Sequence, residues 1–149
     1  MIFRELKTYD VSECLNLFTE VYASQTLVDY PELRDEFRKN SLNGKLEIIN
    51  AIDCGEMYGF VVEEGVQLIG FILLTSPNYI RKLAVRQDFQ HRGIASQLVE
   101  LCNKENDVLV VHAAEKAIPF YEKIGFVKDG EMNREKYPYL PMRKGEKKQ

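Results

Sequence analysis

A short segment in the second half of the sequence, residues 83–96, constrains the fold more than any other. It begins with the strand-like residues Leu83-Ala84-Val85, continues into a polar turn, and starts a helix at Gly93. The first amide groups of a helix have no partner within it and carry the positive end of its dipole. A glycine, which lacks a Cβ, lets the backbone approach a ligand closely. The segment therefore predicts a strand, turn and helix that bind phosphate groups through backbone amides.

The side chains around this turn support the same interpretation. Arg86, His91 and Arg92 place hydrogen-bond donors or positive charge at its rim, and small residues keep the first helical turn open. We expect a set of cofactor-binding residues here that combines the strand end with the start of the helix. Its members are Leu83, Ala84, Val85, Gln90, His91, Arg92, Gly93, Ile94, Ala95 and Ser96.

Two motifs give this turn a wider context. One is Q-x-x-G-x-A at residues 90–95, and the other is HAAEKAIPFYEKIGF at residues 112–126. The first resembles the acetyl-CoA signature Q/R-x-x-G-x-G/A of the GNAT superfamily of N-acetyltransferases. The second resembles the A-x-x-F-Y-x-x-x-G-F segment of the same superfamily. The resemblance covers nearly the whole chain and is most specific over residues 83–126.

The resemblance implies an α/β fold, with a mixed, mostly antiparallel central sheet of about seven strands and helices on both faces. The sequence pattern agrees, because strand-like and helix-like segments alternate along the chain. Residues 40–55 are ambiguous, although a short helix fits them. The strand-like segments are 2–7, 58–63, 67–75, 79–85, 108–112, 126–131 and 137–143, and the helix-like segments begin near residues 10, 31, 94 and 115.

Three local signals refine this outline. Asp10-x-x-Glu13 predicts a capping box at the first helix. Pro141 predicts a bulge or an unpaired position in the last strand, because proline has no N–H to donate. Residues 144–149 have the composition of a frayed polar tail.

Length and composition limit the alternatives. The sequence has 149 residues, of which 45% are hydrophobic, so we expect a single domain over residues 1–149 with a substantial core. A formal net charge of −3 gives no overall attraction to nucleic acid or to an anionic membrane, and we expect neither as a partner. No apolar run approaches the ~20 residues of a membrane-spanning helix. We therefore expect a soluble cytoplasmic protein.

The cysteines point to no special chemistry. Cys14, Cys54 and Cys102 are odd in number, widely spaced and not arranged as C-x-x-C. We expect neither a disulfide framework nor a metal site, but three buried thiols in a reducing compartment.

The resemblance also implies catalytic roles. Main-chain groups of Leu83 and Val85 would pair with the pantetheine amides of acetyl-CoA, and Tyr121 would contact the cofactor and protonate the departing thiolate. A neutral phenol suits this role because its pKa, near ~10, is close to that of a thiol. Many family members carry a glutamate base on the strand before Leu83, but residues 78–82 contain no carboxylate. His112 is then a candidate base, with a structural role or a cofactor contact as the alternatives.

The acceptor is less defined by the sequence. The resemblance implies that the first helices and the hairpin line the acceptor site, and their aromatic and acidic residues suit a cationic amine. These residues are Tyr22, Tyr30, Asp53, Glu56 and Tyr58. A homodimer is a further expectation from the resemblance.

The leading hypothesis is an acetyl-CoA-dependent N-acetyltransferase that transfers acetyl directly to a primary amine of a small molecule or peptide. Direct transfer is favoured because no cysteine lies in a nucleophile motif. The alternative is a catalytically weak or inactive acyl-CoA-binding regulatory module, which the missing carboxylate favours and Tyr121 opposes. A dinucleotide-binding domain is excluded, because it needs further glycines around the turn.

Overall fold

The protein is built around one mixed sheet. The computed structural model describes residues 1–145. The strands are β1 (Ile2–Glu5), β2 (Met57–Glu64), β3 (Gln67–Thr75), β4 (Tyr79–Val85), β5 (Leu109–Ala114), β6 (Val127–Lys128) and β7 (Tyr139–Lys144). They form a seven-stranded sheet in the order β1-β2-β3-β4-β5-β7-β6. Neighbouring strands are antiparallel except β4 and β5, which are parallel.

The helices lie between these strands in sequence. They are α1 (Val11–Val21), α2 (Pro31–Asn40), α3 (Lys45–Asp53), α4 (Ile94–Asn103) and α5 (Ile118–Lys123). A π-helical turn, Tyr22–Thr26, follows α1, and a 3-10 turn, Glu115–Ala117, precedes α5. The ambiguous segment of the sequence is therefore mainly the helix α3. Among residues 1–145, no helix is long and apolar enough to cross a membrane.

The central strand β3 supplies side chains to two cores, one on each face of the sheet. Ile69 and Ile72 belong to the core that α4 and α5 cover. Phe71 and Leu73 belong to the core that α1 and α3 cover. This explains why β3 is apolar on both faces. Together with the strand order, it confirms the predicted α/β fold class of a mostly antiparallel sheet with helices on both faces.

The sheet opens between β4 and β5. These strands pair only through Tyr79 and Ile80 of β4. The register between β3 and β4 then skips Arg81, which is the extra residue of a bulge. A bulge bends its strand and increases the local twist. Beyond it, residues 82–85 and 112–114 border a gap in the middle of the sheet.

Several predicted boundaries in the second half are corrected. The helix α4 ends at Asn103, and β6 is far shorter than the predicted strand 126–131. Pro141 does not interrupt β7, since it lies opposite His112 in an unshifted register. Lys144 belongs to β7 rather than to a polar tail, and residues 146–149 lie outside the described residues.

Two predictions about side chains are also wrong. Cys54 is exposed, whereas Cys14 and Cys102 are buried as expected. The capping box between Asp10 and Glu13 does not form, because no side chain caps α1. Asp10 turns back toward β1 instead, where a stronger partner is available.

That partner is Arg4, which ties the start of the chain to the sheet. Its two terminal nitrogens each donate to a different carboxylate oxygen of Asp10, both at 2.8 Å, and its Nε pairs with Glu63 of β2. Asp10 is 5% exposed and also accepts the Lys7 amide at 2.8 Å. Burial disfavours the charged carboxylate, but the hydrogen bonds from Arg4 and Lys7 outweigh it and lower the pKa of Asp10.

Replacing Asp10 by alanine should destabilise the protein by about 3 kcal/mol at pH 7, because it leaves the Arg4 guanidinium without its bidentate partner. Urea unfolding measures this loss. A lowered pKa stabilises the fold above the unfolded carboxyl pKa of ~3.9, and that contribution is lost as the pH falls through the folded value. The difference between Asp10→Ala and the wild type should therefore shrink below about pH 4.

The matched control is Glu5→Gln, which removes the exposed Glu5–Lys7 pair at 3.5 Å. It should leave the unfolding midpoint unchanged, since exposed ion pairs contribute little. Equal stability of the Asp10→Ala and Glu5→Gln variants would contradict a stabilising role for the Arg4 network.

Candidate functional site

A groove of about 500 Å³ runs along the sheet face that α4 and α5 cover, beside the gap between β4 and β5. Nearly all the residues predicted to bind a cofactor line it. They are Leu83, Ala84, Val85, Gln90, His91, Gly93, Ile94, Ala95, Ser96 and Tyr121. The fold thus brings the strand end, the helix start and the second motif to one cavity.

The N-terminus of α4 is open toward this groove. Gly93 and His91 both have left-handed backbones, with φ of +80° and +64°, a conformation that a residue with a Cβ seldom adopts. A Cβ added to Gly93 would meet no atom within 4 Å. The Gln97 N–H donates to the Gly93 carbonyl at 3.0 Å, and no side chain caps the helix. The amide groups of residues 94–96, which precede Gln97 in the first helical turn, are therefore available to an anion.

The edge of β4 offers a second set of backbone groups. The Arg86 N–H donates to Ile69 of β3 at 2.7 Å. The backbone groups of successive residues in a strand point to opposite sides. The N–H and C=O groups of Leu83 and Val85 therefore point away from β3, into the gap. The strand β5 does not pair with them, since its pairing with β4 ends at Ile80. An extended ligand with amide groups can pair with this edge.

Gln90 braces the turn between β4 and α4. Its Nε2 donates to the Val85 carbonyl at 2.9 Å, and its side-chain amide forms reciprocal hydrogen bonds of 3.3 Å with that of Gln25. Gln25 belongs to the π-helical turn after α1. Gln90 therefore joins two walls of the groove, and the Val85 carbonyl keeps a second lone pair for a ligand.

Positive charge lies on the α5 side of the groove. Lys116 and Lys123 line it, and the Lys116 Nζ pairs with Asp29 at 2.9 Å. Arg92 does not line it, because its guanidinium packs 5.1 Å from the Phe89 ring centroid and donates to the Asp88 carbonyl at 3.2 Å. The positive charges that line the groove are thus Lys116 and Lys123, and Arg92, which is next to Gly93 in the sequence, is not among them.

Tyr121 lies where the groove meets the core. Its side chain is buried, and its ring centroid is 5.1 Å from those of both Phe120 and Phe126. Burial raises the pKa of Tyr121, and Tyr79 adds to the effect. The phenol is therefore neutral at physiological pH, which is the form that donates a proton.

His112 lies on the opposite face of the sheet and does not line the groove. Its ring is stacked on Tyr139, with centroids 4.2 Å apart, and meets the edge of Tyr79 at 5.1 Å. Partial burial and the nearby Arg81 lower the pKa of His112, so the imidazole is neutral at pH 7. The structure does not bring His112 and Tyr121 together on one face.

The residues suggested for the acceptor are also separated. Tyr22 packs between Phe18 and Phe37 near the gap, with ring centroids 5.1 and 4.8 Å away. Tyr30 immediately precedes α2. Tyr58 lies at the other end of the sheet, where its hydroxyl donates to the Pro77 carbonyl at 2.7 Å. Asp53 and Glu56 precede Tyr58 and are exposed.

Sequence reasoning missed part of the groove wall. Ala117 and Phe120 occupy fixed positions of the second motif, so the motif itself could have identified them. Lys123 occupies a variable position of that motif. Val21, Gln25 and Thr26 come from the other end of the chain, and only the fold brings them to the groove.

One family model matches most of this chain. The family model described as an acetyltransferase (GNAT) domain matches residues 19–146. The sequence matches no curated protein.

Solved structures share the fold at low sequence identity. The GCN5-related N-acetyltransferase (aminotransferase, class II) from Rhodopseudomonas palustris has a TM-score of 0.79 at 21% identity, covering 97% of this chain and 94% of that chain. The PaiA N-acetyltransferase from Thermoplasma acidophilum, in complex with coenzyme A, has a TM-score of 0.75 at 18% identity, covering 98% and 100%. An aminoglycoside 6'-N-acetyltransferase complexed with coenzyme A has a TM-score of 0.68 at 17% identity, covering 97% and 96%.

These findings confirm the family and are consistent with acetyl-CoA as the acyl donor. The family model spans both predicted motifs and most of the chain. The chain belongs to the GNAT family of acetyltransferases.

Proposed function

We propose that this protein is an acetyl-CoA-dependent N-acetyltransferase that transfers acetyl directly to a primary amine. One observation carries the proposal. A single groove joins the open N-terminus of α4, the unpaired edge of β4 and the buried phenol of Tyr121. These are a phosphate site, an amide-binding edge and a proton donor, and acetyl-CoA needs all three.

The groove suggests how the donor binds. The amides that follow Gly93 would accept the pyrophosphate, with Lys116 and Lys123 supplying positive charge. The pantetheine arm would run along β4 and pair with Leu83 and Val85. This direction carries the thioester from the helix N-terminus into the gap of the sheet, where it can be reached from the other face.

The chemistry then needs one proton donor from this chain. The acceptor nitrogen bonds to the acetyl carbonyl carbon, and the C–S bond breaks. The sulfur takes the proton of the Tyr121 phenol, while the proton lost by the nitrogen passes to water and Tyr121 recovers its own from solvent. Backbone N–H groups at the β4 edge would stabilise the carbonyl oxygen as it gains charge.

The acyl-CoA-binding regulatory module is the second candidate function. The side chains of residues 78–82 on and before β4 include no carboxylate base, and His112 does not line the groove. A lysine-like amine, with a pKa near ~10.4 in water, would then have to lose its proton to water before attack. The two candidates differ in turnover and share the binding site.

The release of CoA thiol distinguishes these candidates. We expect purified protein with acetyl-CoA to release thiol only when a panel of primary amines, amino acids and N-terminal peptides is added. Mass spectrometry of the products should show N-acetylation. Acetyl-CoA binding without amine-dependent release would favour the regulatory module, and absence of binding would contradict both.

Gly93→Glu should weaken acetyl-CoA binding by at least about 100-fold, because a carboxylate would occupy the open space at the helix N-terminus and repel the pyrophosphate. Isothermal titration calorimetry measures the affinity. Gly55→Glu is the matched control, since Gly55 has a similar φ of +83° and also has no atom within 4 Å of an added Cβ. Equal affinity of the two variants for acetyl-CoA would contradict the proposed phosphate site.

Tyr121→Phe should lower kcat by about 100-fold, because the ring keeps its packing while the proton donor is lost. The Kd for acetyl-CoA should change less than about twofold, which calorimetry checks. Tyr58→Phe is the control, because the Tyr58 hydroxyl bonds to Pro77 at the far end of the sheet. An unchanged kcat in Tyr121→Phe would restrict Tyr121 to a packing role.

A further inference from the structure

Lys82 is an unusual residue on the sheet face opposite the groove. It follows the bulge at Arg81 and directly precedes Leu83, whose backbone borders the gap. Its stem lines a small space in the core between β4 and α1, where its neighbours include Leu15 and Phe71. A flexible lysine normally extends into water, whereas this one is half-buried among apolar side chains.

The positive charge of Lys82 is not balanced by an ion pair in the described part of the chain. Within residues 1–145 no carboxylate forms an ion pair with it. Its Nζ instead lies 4.4 Å from the centroid of the Phe18 ring. Burial lowers the pKa of Lys82, and the charge of Arg81 lowers it further. Leaving a half-buried charge unpaired is costly, so a partner from outside the chain is favoured.

The Phe18 ring beside Lys82 belongs to a larger group of aromatic rings. Phe18, Tyr22, Phe37 and Tyr137 form a continuous group, which we call the aromatic cluster, with successive ring centroids 5.1, 4.8 and 6.2 Å apart. All four are partly exposed. Their contacts bring α1, α2 and the segment before β7 together over the gap. The Glu36–Lys136 ion pair also joins α2 to the segment before β7.

The aromatic cluster and the groove beside α4 and α5 meet at one short segment. The π-helical turn contributes Tyr22 to the cluster and Gln25 and Thr26 to the groove. A thioester in the gap between β4 and β5 would therefore be open to the face where Lys82, His112 and the cluster lie. Arg81 adds a second positive charge on this strand, above the Tyr79 ring at 5.9 Å.

We propose that Lys82 binds a carboxylate of the acceptor, so that the acceptor is a primary amine carrying both a carboxylate and an aromatic or apolar group. This rests on the proposed acetyltransferase function. The cluster supplies apolar contact for the side group, and the ammonium supplies a charge-assisted hydrogen bond. A polyamine acceptor is disfavoured, because its remaining cations would meet Lys82 and Arg81.

The test uses two probes of nearly the same shape, one with a charged carboxylate and one with a neutral carboxamide in its place. N-acetyl-L-phenylalanine and its carboxamide resemble the expected product and need no turnover, and each is titrated by calorimetry into the protein of residues 1–149 saturated with CoA. We expect the acid to bind at least ~tenfold more tightly than the carboxamide, the magnitude of a hydrogen bond to a charged group. Equal affinities, tighter binding of the carboxamide, or no binding of either probe would overturn the proposal.

Variants assign this preference to Lys82. Lys82→Met keeps the apolar stem and should reduce the preference for the acid to less than ~twofold, whereas Lys82→Arg should retain it. Lys82→Met should unfold at the same or a higher temperature than the wild type, because an unpaired charge is removed. A preference for the acid that persists in Lys82→Met would also overturn the proposal.

A separate titration with acetyl-CoA tests the proposed donor site independently of Lys82. Acetyl-CoA should bind Lys82→Met as tightly as the wild type, since the groove lies on the other face. If acetyl-CoA fails to bind the wild type, the proposed function fails. If acetyl-CoA binds and the probes do not discriminate, only the role of Lys82 fails.

Discussion

The loss of pairing between β4 and β5 after Ile80 is the constraint on which the site depends. A parallel pair in mid-sheet would normally satisfy the backbone groups that the two strands point toward each other. The bulge at Arg81 bends β4 away, so the N–H and C=O groups of Leu83 and Val85 face a gap instead of a neighbour. The sheet therefore contains its own unpaired edge, which borders the groove beside α4 and α5.

The two faces of the sheet carry different sets of side chains beside this gap. On one face, α4 and α5 border a groove with an open helix N-terminus and a buried phenol. On the other face lie Lys82, His112 and a group of aromatic rings. The π-helical turn after α1 contributes to both, and the Gln25–Gln90 amide pair links it to the turn between β4 and α4. A gap open to both faces suits a reaction between two substrates that arrive from opposite sides.

The sequence predicted most helices and strands well, because apolar periodicity and residues such as proline act over a few neighbouring positions. The strands β3 and β4 match the predicted segments 67–75 and 79–85, and Pro31 begins α2 as expected. One failure has a clear tertiary cause. Asp10 has the right spacing to cap α1, yet it binds Arg4, a partner that only the packing of β1 beside the helix provides. A bidentate guanidinium outweighs a single capping amide.

The sequence by itself determined the family, the fold class and the strand, turn and helix of residues 83–96, because short-range patterns of glycine, apolar and motif residues encode them. Only the tertiary structure decided which side chains share a space. It placed Lys123 rather than Arg92 at the groove, and it put His112 and Tyr121 on opposite faces. Among residues 1–145, it also left Lys82 without an ion pair and beside the Phe18 ring. Alternation along a strand and packing between distant segments set these positions, and neither is visible in the order of residues alone.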